Sequence, residues 1–266
     1  SKVPGVMHAC GHDIHTSNLL TVAEILDRTK DQWKGKVKLV FQPAEENGGG
    51  GREMIKAGLM DEIPDACFAL HVENGIPGKI VVGSRYLTAY SDSYKITVHG
   101  KAAHSSTPEE GVDAVYIAAS IVTALHGIIS RNISPMDRAT LNVGMIHGGT
   151  APNIIADEVT LGVMLRNLSK ESREAMMKKI ETISNGIAES MGGSCDLAFR
   201  AGYAAVFNDE KFSAFVADTF RKYEDSIHAD LGDGKPKDWL ITGEHPLLGA
   251  EDFGFYSQKA PSCMIW

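Results

Sequence analysis

Short apolar runs alternate with longer, helix-periodic segments in the first third of the chain. Strands buried in a parallel sheet are predicted for the apolar runs at 37–41 and 66–71. Helices are predicted where apolar residues recur at helical spacing, at 15–28 and 52–57. The glycine-rich stretch 47–51 predicts a sharply turning loop between the first strand and the second helix. This alternation of strands and helices is typical of an α/β domain.

From about residue 87 the pattern changes. Four further strands are predicted, at 94–98, 140–146, 157–165 and 194–200. Two long helices are predicted at 111–130 and 170–191, the second capped by Ser169 and ended by Gly192-Gly193. In the first of these helices the apolar residues at helical spacing are Val112, Val115, Tyr116, Ala119 and Val122. The order strand-helix-strand-strand-helix-strand is that of a ferredoxin-like split βαβ unit.

The last part of the chain returns to the earlier pattern. A helix at 209–230, a polar loop to about 237, a helix from about 250 and a final strand at 263–266 are predicted. We therefore predict an α/β domain with a mostly parallel sheet, built from residues 1–86 and 203–266. An α+β ferredoxin-like domain, residues 87–202, is expected to be inserted into it.

Composition narrows the possible partners. The net charge of −8 and the pI near 5.7, with Lys and Arg scattered, argue against nucleic acid or an anionic membrane as a ligand. The most apolar run, 114–129, is shorter than a bilayer span and is interrupted by Ser120, Thr123 and His126. The four cysteines are widely separated, which is typical of reduced thiols and indicates a cytoplasmic protein.

The densest chemistry lies in the stretch 7–15, MHACGHDIH. Cys10 and His12, two residues apart, can point to the same side of an extended backbone. The pair Glu45–Glu46 follows one predicted strand, and His71 ends another, at the edge where open α/β sheets place ligands. Thiolate, imidazole and carboxylate donors together suit a first-row transition metal such as zinc.

Each of these residues also has a plainer interpretation. A single cysteine is often a small buried hydrophobe, and a single histidine is commonly a core or surface residue. Glu45–Glu46 could belong to an exposed acidic loop. The glycines after them could cradle a phosphate, although no GxxxxGK[ST] pattern follows. Only the joint pattern favours a metal site.

Three motifs carry a resemblance to a known family. MHACGHDIHT at 7–16, FQPAEENGGGG at 41–51 and ALHV at 69–72 resemble the metal-dependent amidohydrolase branch of the M20 peptidase family. That branch includes aminoacylases, hippurate hydrolases and plant hormone-conjugate hydrolases, and the resemblance covers essentially the whole chain. It implies that the metal ligands are Cys10, His12, Glu46 and His71. It also implies that Glu45 is the general base and that each site holds two divalent metal ions, zinc foremost, with manganese, cobalt or nickel as alternatives.

The resemblance extends to the inserted domain, which it implies is a lid and dimerisation domain. His104, in GKAAHSSTPEEGVDA, resembles the histidine that reaches into the partner subunit's site and hydrogen-bonds the developing oxyanion. Asn153 and Arg166 resemble the pair that holds the substrate near its carboxylate, for which a guanidinium offers a bidentate fork. From its residue type alone, Arg166 fits a surface strand position equally well. His99, His126 and His147 are interpreted as structural.

The resemblance also predicts that this chain is a fragment. The family carries further residues upstream, including early strands of the first sheet, and one more histidine ligand shortly downstream. We therefore expect the second metal site to be incomplete here.

The resulting hypothesis is a homodimeric, metal-dependent amidohydrolase that cleaves the amide of an N-acyl amino acid or a similar conjugate through a metal-activated water. One alternative is a dipeptidase or carboxypeptidase of the same family. Another is a thiol enzyme with Cys10 as nucleophile and a histidine as base. The third is a non-catalytic metal-binding or dimerisation module. Chelator sensitivity separates the metal and thiol mechanisms.

Overall fold

The computed structural model of the protein describes residues 2–227 and 237–266. These residues form two compact units. Unit 1 comprises Ser1–Leu87, Val206–His245 and Asp252–Trp266, and unit 2 comprises Thr88–Ala205 and Pro246–Glu251. The chain therefore leaves unit 1 twice, for the long segment 88–205 and for the short segment 246–251, and returns to it each time.

Unit 1 is a mixed α/β structure. Its helices are α1 (His12–Arg28), α2 (Glu45–Gly48) and α3 (Gly50–Lys56). Its first strands are β1 (Cys67–Leu70), β2 (Ile80–Gly83) and β3 (Arg85–Tyr86). The later elements of unit 1 follow the long segment of unit 2. They are β10 (Phe207–Asn208), α6 (Glu210–Lys222), α7 (Glu224–Ile227), β11 (Leu240–Gly243), α8 (Phe253–Ser257) and β12 (Ser262–Ile265).

The strands of unit 1 pair mainly in parallel. β1 pairs with β12 and β2 with β11, both in parallel, while β3 and β10 form a short antiparallel pair. Reciprocal backbone bonds between Val81 and Trp266, at 2.8 and 3.1 Å, connect β2 to the end of β12. The buried amide of Asn208 donates to Gly83 O and Met264 O and accepts from Met264 N. These bonds hold the end of β12 in a fixed place.

Unit 2 is built on a four-stranded antiparallel sheet in the order β6-β8-β4-β9. Its elements are β4 (Tyr90–His99), β5 (Ala103–His104), α4 (Ala114–Asn132), β6 (Ala139–Gly148), β7 (Ile154–Ile155), β8 (Glu158–Asn167), α5 (Lys170–Ser190) and β9 (Ser194–Tyr203). The two helices and the sheet share one apolar core. The element order is that of the split βαβ unit. Ser169 caps α5 by accepting a bond from Ser172 N, as predicted.

A buried ion pair lies beside the sheet of unit 2. Asp92 is 2% exposed and accepts two bonds from the guanidinium of Arg173, at 2.6 and 3.0 Å. The Arg173 guanidinium also lies over the rings of Tyr90 and Phe199. Hydrogen bonds to Asp92 raise the pKa of Arg173 further above its ordinary value. The Arg173 guanidinium therefore stays charged, and its bonds to Asp92 tie α5 to β4.

The buried face of α4 differs from the predicted one. Val115 and Tyr116 are 45% and 64% exposed, whereas the buried residues are Ala114, Ile117, Ala118, Ile121, Leu125 and Ile128. The helix is apolar nearly all round, so spacing alone did not identify its inward face.

Helix α4 also extends past the apolar run at 114–129, and by length and composition it is long and apolar enough to cross a membrane. Core helices meet the same criterion, and this helix packs on its sheet.

Two predictions for the first part of the chain are wrong. The run at 37–41 forms no strand within residues 2–227 and 237–266, and Val37, Leu39 and Phe41 are exposed. An apolar segment becomes a strand only where a neighbour offers a hydrogen-bonding edge. The stretch 47–51 is not a plain loop, because α2 and α3 occupy it and only Gly49 lies between them.

The helix predicted at 209–230, in the last part of the chain, is divided into α6 and α7. Its last three residues and most of the following loop lie outside the described residues.

Candidate metal centre

Three segments of unit 1 bring their polar side chains to one place. Two groups of three side chains each place one ligand atom per residue within 4.8 Å of the others. The first group is Cys10, His12 and His71, and the second is His12, Glu45 and Glu46. His12 belongs to both groups. The arrangement therefore offers two adjacent three-donor clusters that share one imidazole.

The hydrogen bonds of His71 fix which of its nitrogens can act as a ligand. Its Nδ1 lies 2.7 Å from Val72 O, and because a carbonyl only accepts, Nδ1 carries the proton. In the neutral ring Nε2 then has a lone pair, and this atom lies 3.4 Å from Cys10 Sγ. Burial lowers the pKa of His71, which favours that neutral form. Neutral imidazole is the form that binds metals.

The ring of His15 contacts the rings of two ligand candidates, His12 and His71, and the backbone of Val72 just after β1. Its ring centroid is 4.4 Å from that of His71 and 5.5 Å from that of His12. Its Nε2 accepts a 3.0 Å bond from Val72 N, and burial lowers the pKa of His15 to about 4. The neutral ring therefore connects α1 to the end of β1. Trp266 packs its indole edge-on against the other side of His71, at 4.9 Å.

A glycine allows the start of α1 to approach the end of β1. Gly11 caps α1 with a left-handed backbone, φ 75°. A Cβ at this position would lie 2.4 Å from Cγ2 of Val72. Any side chain at this position would therefore push α1 away from β1 and separate His12 from His71.

The glutamate pair lies on a strained turn. Ala44, a non-glycine residue, has φ 57° immediately before Glu45, a conformation that costs about 1–3 kcal/mol. His12 Nε2 is 3.9 Å from a carboxylate oxygen of Glu45 and 3.7 Å from one of Glu46. The side chain of Glu45 is 19% exposed and that of Glu46 is 60% exposed. The two neighbouring carboxylates therefore face His12 from different environments.

The cluster opens onto solvent. An open depression of about 480 Å³ is lined by Met7, His8, Ala9, Cys10, His12 and Glu46. A depression of this size can admit a small molecule next to the clustered donors.

The other three candidate residues lie in unit 2, and two of them are neighbours. β5 pairs with β7 so that His104 is opposite Ile154, and Ser105 N donates a 3.0 Å bond to Asn153 O. Ser106 N donates to His104 Nδ1 at 3.2 Å, and Ser106 Oγ is 2.7 Å from the same atom. In the neutral ring the proton of His104 therefore resides on Nε2, on the exposed side of the loop.

Arg166 lies on β8 of unit 2, and its side chain is half-buried. Its Nη1 donates a 2.9 Å bond to Leu248 O. A guanidinium has five N–H donors, so this bond leaves most of its hydrogen-bonding capacity for other groups. Within the described part of the chain, Arg166 forms no ion pair.

The family model for Peptidase family M20/M25/M40 matches residues 1–266. The chain belongs to this family. Among curated M20 proteins, it is 36% identical to thermostable carboxypeptidase 2 of Saccharolobus solfataricus, over 98% of the chain and 63% of that protein. It is 31% identical to the N-acetylcysteine deacetylase of Bacillus subtilis, over 100% of the chain and 66% of that protein. The chain thus spans slightly less than two thirds of the length of these relatives.

Among solved M20 structures, the chain resembles the YXEP protein of Bacillus subtilis, which is described as a dinuclear metal binding peptidase. The TM-score is 0.80 at 28% identity, and the match covers 100% of this chain and 65% of that one. The fold of the chain is therefore that of a family whose members include hydrolases of carboxypeptidase and deacetylase type.

The donor set of this M20 chain fits a metal on its own chemistry. The lone pair of His71 Nε2 faces the Cys10 sulfur, and two carboxylates lie beside His12. Thiolate, imidazole and carboxylate are the ligands that zinc uses in proteins. These donors are visible in the sequence, whereas nothing in the sequence pointed to roles for His15, Ala44 or Gly11. Their contributions depend on spatial neighbours, and only the left-handed tendency of glycine was readable in the sequence.

Proposed function

We propose that this protein is a metal-dependent amidohydrolase that acts on N-acyl amino acids or similar conjugates. The observation that carries the proposal is the pair of donor clusters that share His12. The first cluster offers three ligands for one ion, whereas the second, with Glu45 kept as the general base, offers His12 and Glu46 and would be an incomplete site for a second ion. Similarity to a dinuclear metal binding peptidase supports the same view.

In this proposal Cys10, His12, Glu46 and His71 hold two divalent ions, with zinc foremost and manganese, cobalt or nickel as alternatives. Cys10 would supply the thiolate of this ligand set. When bound, such ions lower the pKa of water to about 7 and polarise a carbonyl. His71 contributes through the proton on Nδ1, which fixes its ring against Val72 O and keeps Nε2 available as a ligand.

Glu45 acts as the general base. An amide is a poor electrophile with a poor leaving group, so hydrolysis needs a base for the attacking water and an acid for the departing nitrogen. A single carboxylate serves both needs by taking a proton and later delivering it. Both glutamates lie within 4 Å of His12, and Glu45 suits this role because its side chain is less exposed than that of Glu46.

Unit 2 is proposed to act as the lid and dimerisation domain, inserted at about residues 87–202. The Nε2–H of His104, which the Ser106 bond leaves available, donates to the oxyanion that forms in the partner subunit's site. The carboxylate of the substrate is held by Asn153, whose backbone is bonded to the loop of His104, and by Arg166. Arg166 uses for this the N–H donors that are not engaged with Leu248 O. The active protein is then a homodimer with shared sites.

The relatives leave two substrate classes open, because one is named a carboxypeptidase and another an N-acetylcysteine deacetylase. The full-length, zinc-loaded protein should hydrolyse acetyl- or benzoyl-amino acids in preference to aminoacyl-amino acids. Activity should disappear with a chelator and return with Zn²⁺. A preference for free α-amines would indicate a dipeptidase instead. Activity that survives the chelator but is abolished by alkylation of Cys10 would support the thiol mechanism and contradict the proposal.

A further inference from the structure

A buried carboxylate lies close to the glutamate turn, outside the proposed ligand set. Asp252, just before α8, is 0% exposed. Its Oδ2 accepts a 3.1 Å bond from Gly51 N and a 2.5 Å bond from Gln42 Nε2. Tyr256 in α8 donates its hydroxyl to Gln42 Oε1 at 2.8 Å, which orients the amide so that Nε2 faces Asp252. The four residues form one connected polar network in unit 1.

The two donors to Asp252 come from opposite ends of the glutamate turn. Gln42 precedes Glu45 by three residues, and Gly51 follows Glu46 by five. One oxygen atom therefore holds both flanks of the turn at a fixed separation. The peptide in between contains the strained Ala44 and the left-handed Gly49. A strained conformation persists only where the surroundings fix it, and the bonds to Asp252 provide such a constraint.

The packing around the network leaves no room for adjustment. A Cβ at Gly50 would lie 1.7 Å from Pro43 O. A Cβ at Gly51 would lie 2.8 Å from Gln42 Oε1 and 3.1 Å from Asp252 O. These glycines therefore allow the backbone of α3 to approach both Asp252 and the peptide that leads into the turn.

Burial of Asp252 is unfavourable by itself. Desolvation raises the pKa of this carboxyl, and the bonds from Gly51 and Gln42 only partly offset that effect. An apolar side chain of similar size would fill the same volume without that cost. The geometric role of the oxygen gives a reason for a hydrogen-bond acceptor here.

We propose that Asp252 is a positioning residue of the metal centre, which holds Gln42 and Gly51 so that Glu45 and Glu46 face His12. The inference rests on the proposed function, because it assumes that these glutamates serve the metal site. Asp252 itself is neither a ligand nor a proton carrier. It acts through the backbone of the turn, much as the partners of metal ligands orient those ligands elsewhere.

Two substitutions distinguish the effect of the position of the Asp252 oxygen from the effect of its charge. Asp252→Ala removes the acceptor, so the amide of Gly51 should lose its hydrogen-exchange protection in the metal-free protein. Its affinity for Zn²⁺, measured by calorimetry, should fall by about 10–100-fold, as is usual when a partner of a metal ligand is removed. Asp252→Asn keeps one oxygen that can accept both bonds, so it should retain the protection and bind Zn²⁺ within about threefold of the unchanged protein.

The matched control is Asp92→Ala, which removes another buried, hydrogen-bonded carboxylate, one that belongs to unit 2 whereas the ligand candidates belong to unit 1. It should lower the melting temperature without a comparable loss of Zn²⁺ affinity. Should Asp252→Ala not fold, Gln42→Met replaces it, because that change breaks one of the two bonds and leaves Asp252 in place. Its affinity should fall by a smaller factor than that expected for the alanine variant.

Glu46→Gln distinguishes failure of this inference from failure of the proposed function. If Glu46→Gln loses Zn²⁺ while Asp252→Ala binds it as tightly as the unchanged protein, the positioning role is overturned and the ligand assignment stands. If Asp252→Asn loses as much affinity as Asp252→Ala, charge rather than position is what matters, and the inference is again wrong. If Glu46→Gln binds normally, the ligand assignment fails, and the positioning role fails with it.

Discussion

Replacement of Glu45 by Gln is expected to reduce turnover by about 10²–10⁴-fold, the contribution of a general base, with little change in metal content. The amide keeps the size of the side chain but cannot take a proton from water. The turn around it should be unchanged, because Gln42 and Gly51 remain bound to Asp252. Steady-state kinetics together with elemental analysis of the purified variant measure both effects.

Glu46→Gln is the matched control, since it alters the adjacent residue in the same way. It should lose metal, because an amide is a much poorer ligand than a carboxylate. If metal analysis shows the opposite pattern, with Glu45→Gln depleted and Glu46→Gln replete but inactive, the two roles are exchanged. The proximity of both carboxylates to His12, at 3.9 and 3.7 Å, makes this comparison necessary.

Replacement of His104 by Ala is expected to lower kcat by about 10²–10³-fold, the usual loss when one oxyanion donor is removed. Metal content should not change, because His104 lies in unit 2 and the ligand candidates lie in unit 1. Ser106→Ala is a milder companion variant. It removes the hydroxyl 2.7 Å from Nδ1 but keeps the backbone N–H that holds the proton on Nε2.

The proposed sharing of sites between subunits can be tested by mixing two variants. His104→Ala and Glu45→Gln are each expected to be nearly inactive alone. A mixed dimer would contain one site with an intact Glu45 and an intact His104 from the partner, so activity should return to at most half the level of the unchanged dimer. If subunit exchange is demonstrated and no activity returns, His104 does not serve the partner's site.

Elements with strong local signals were predictable from the sequence. Helix α5 begins at the expected cap, Ser169, because a serine before a helix-periodic segment satisfies the N–H groups at its start. β1 lies within the predicted strand 66–71 and ends one residue earlier, so that His71 follows it directly. Features that depend on a neighbour were not predictable. Residues 37–41 have the composition of a strand but no pairing edge in the described chain, and the inward face of α4 is set by its sheet.

The candidate site shows the same division. Cys10, His12, Glu45, Glu46 and His71 were identified because their chemistry and motifs are visible in the sequence, and the structure brings them together. Asp252 was not identified, since an acidic residue before a short helix carries no signal of its own. Its role depends on Gln42, 210 residues away, and Gly51, 201 residues away. Long-range bonds of this kind cannot be recovered from local pattern.

The central claim, that Cys10 is a ligand in a mixed thiolate, imidazole and carboxylate metal site, is tested most directly by X-ray absorption spectroscopy of the zinc-loaded protein. The other cysteines are poor competitors, because burial raises the pKa of Cys67 and raises that of Cys195 and of Cys263 to about 11. The account predicts a sulfur neighbour at about 2.3 Å from zinc, with nitrogen or oxygen neighbours at about 2.0–2.2 Å. The sulfur signal should vanish in Cys10→Ser. A spectrum with only nitrogen and oxygen neighbours in the unchanged protein, or a sulfur signal that persists in Cys10→Ser, would contradict it.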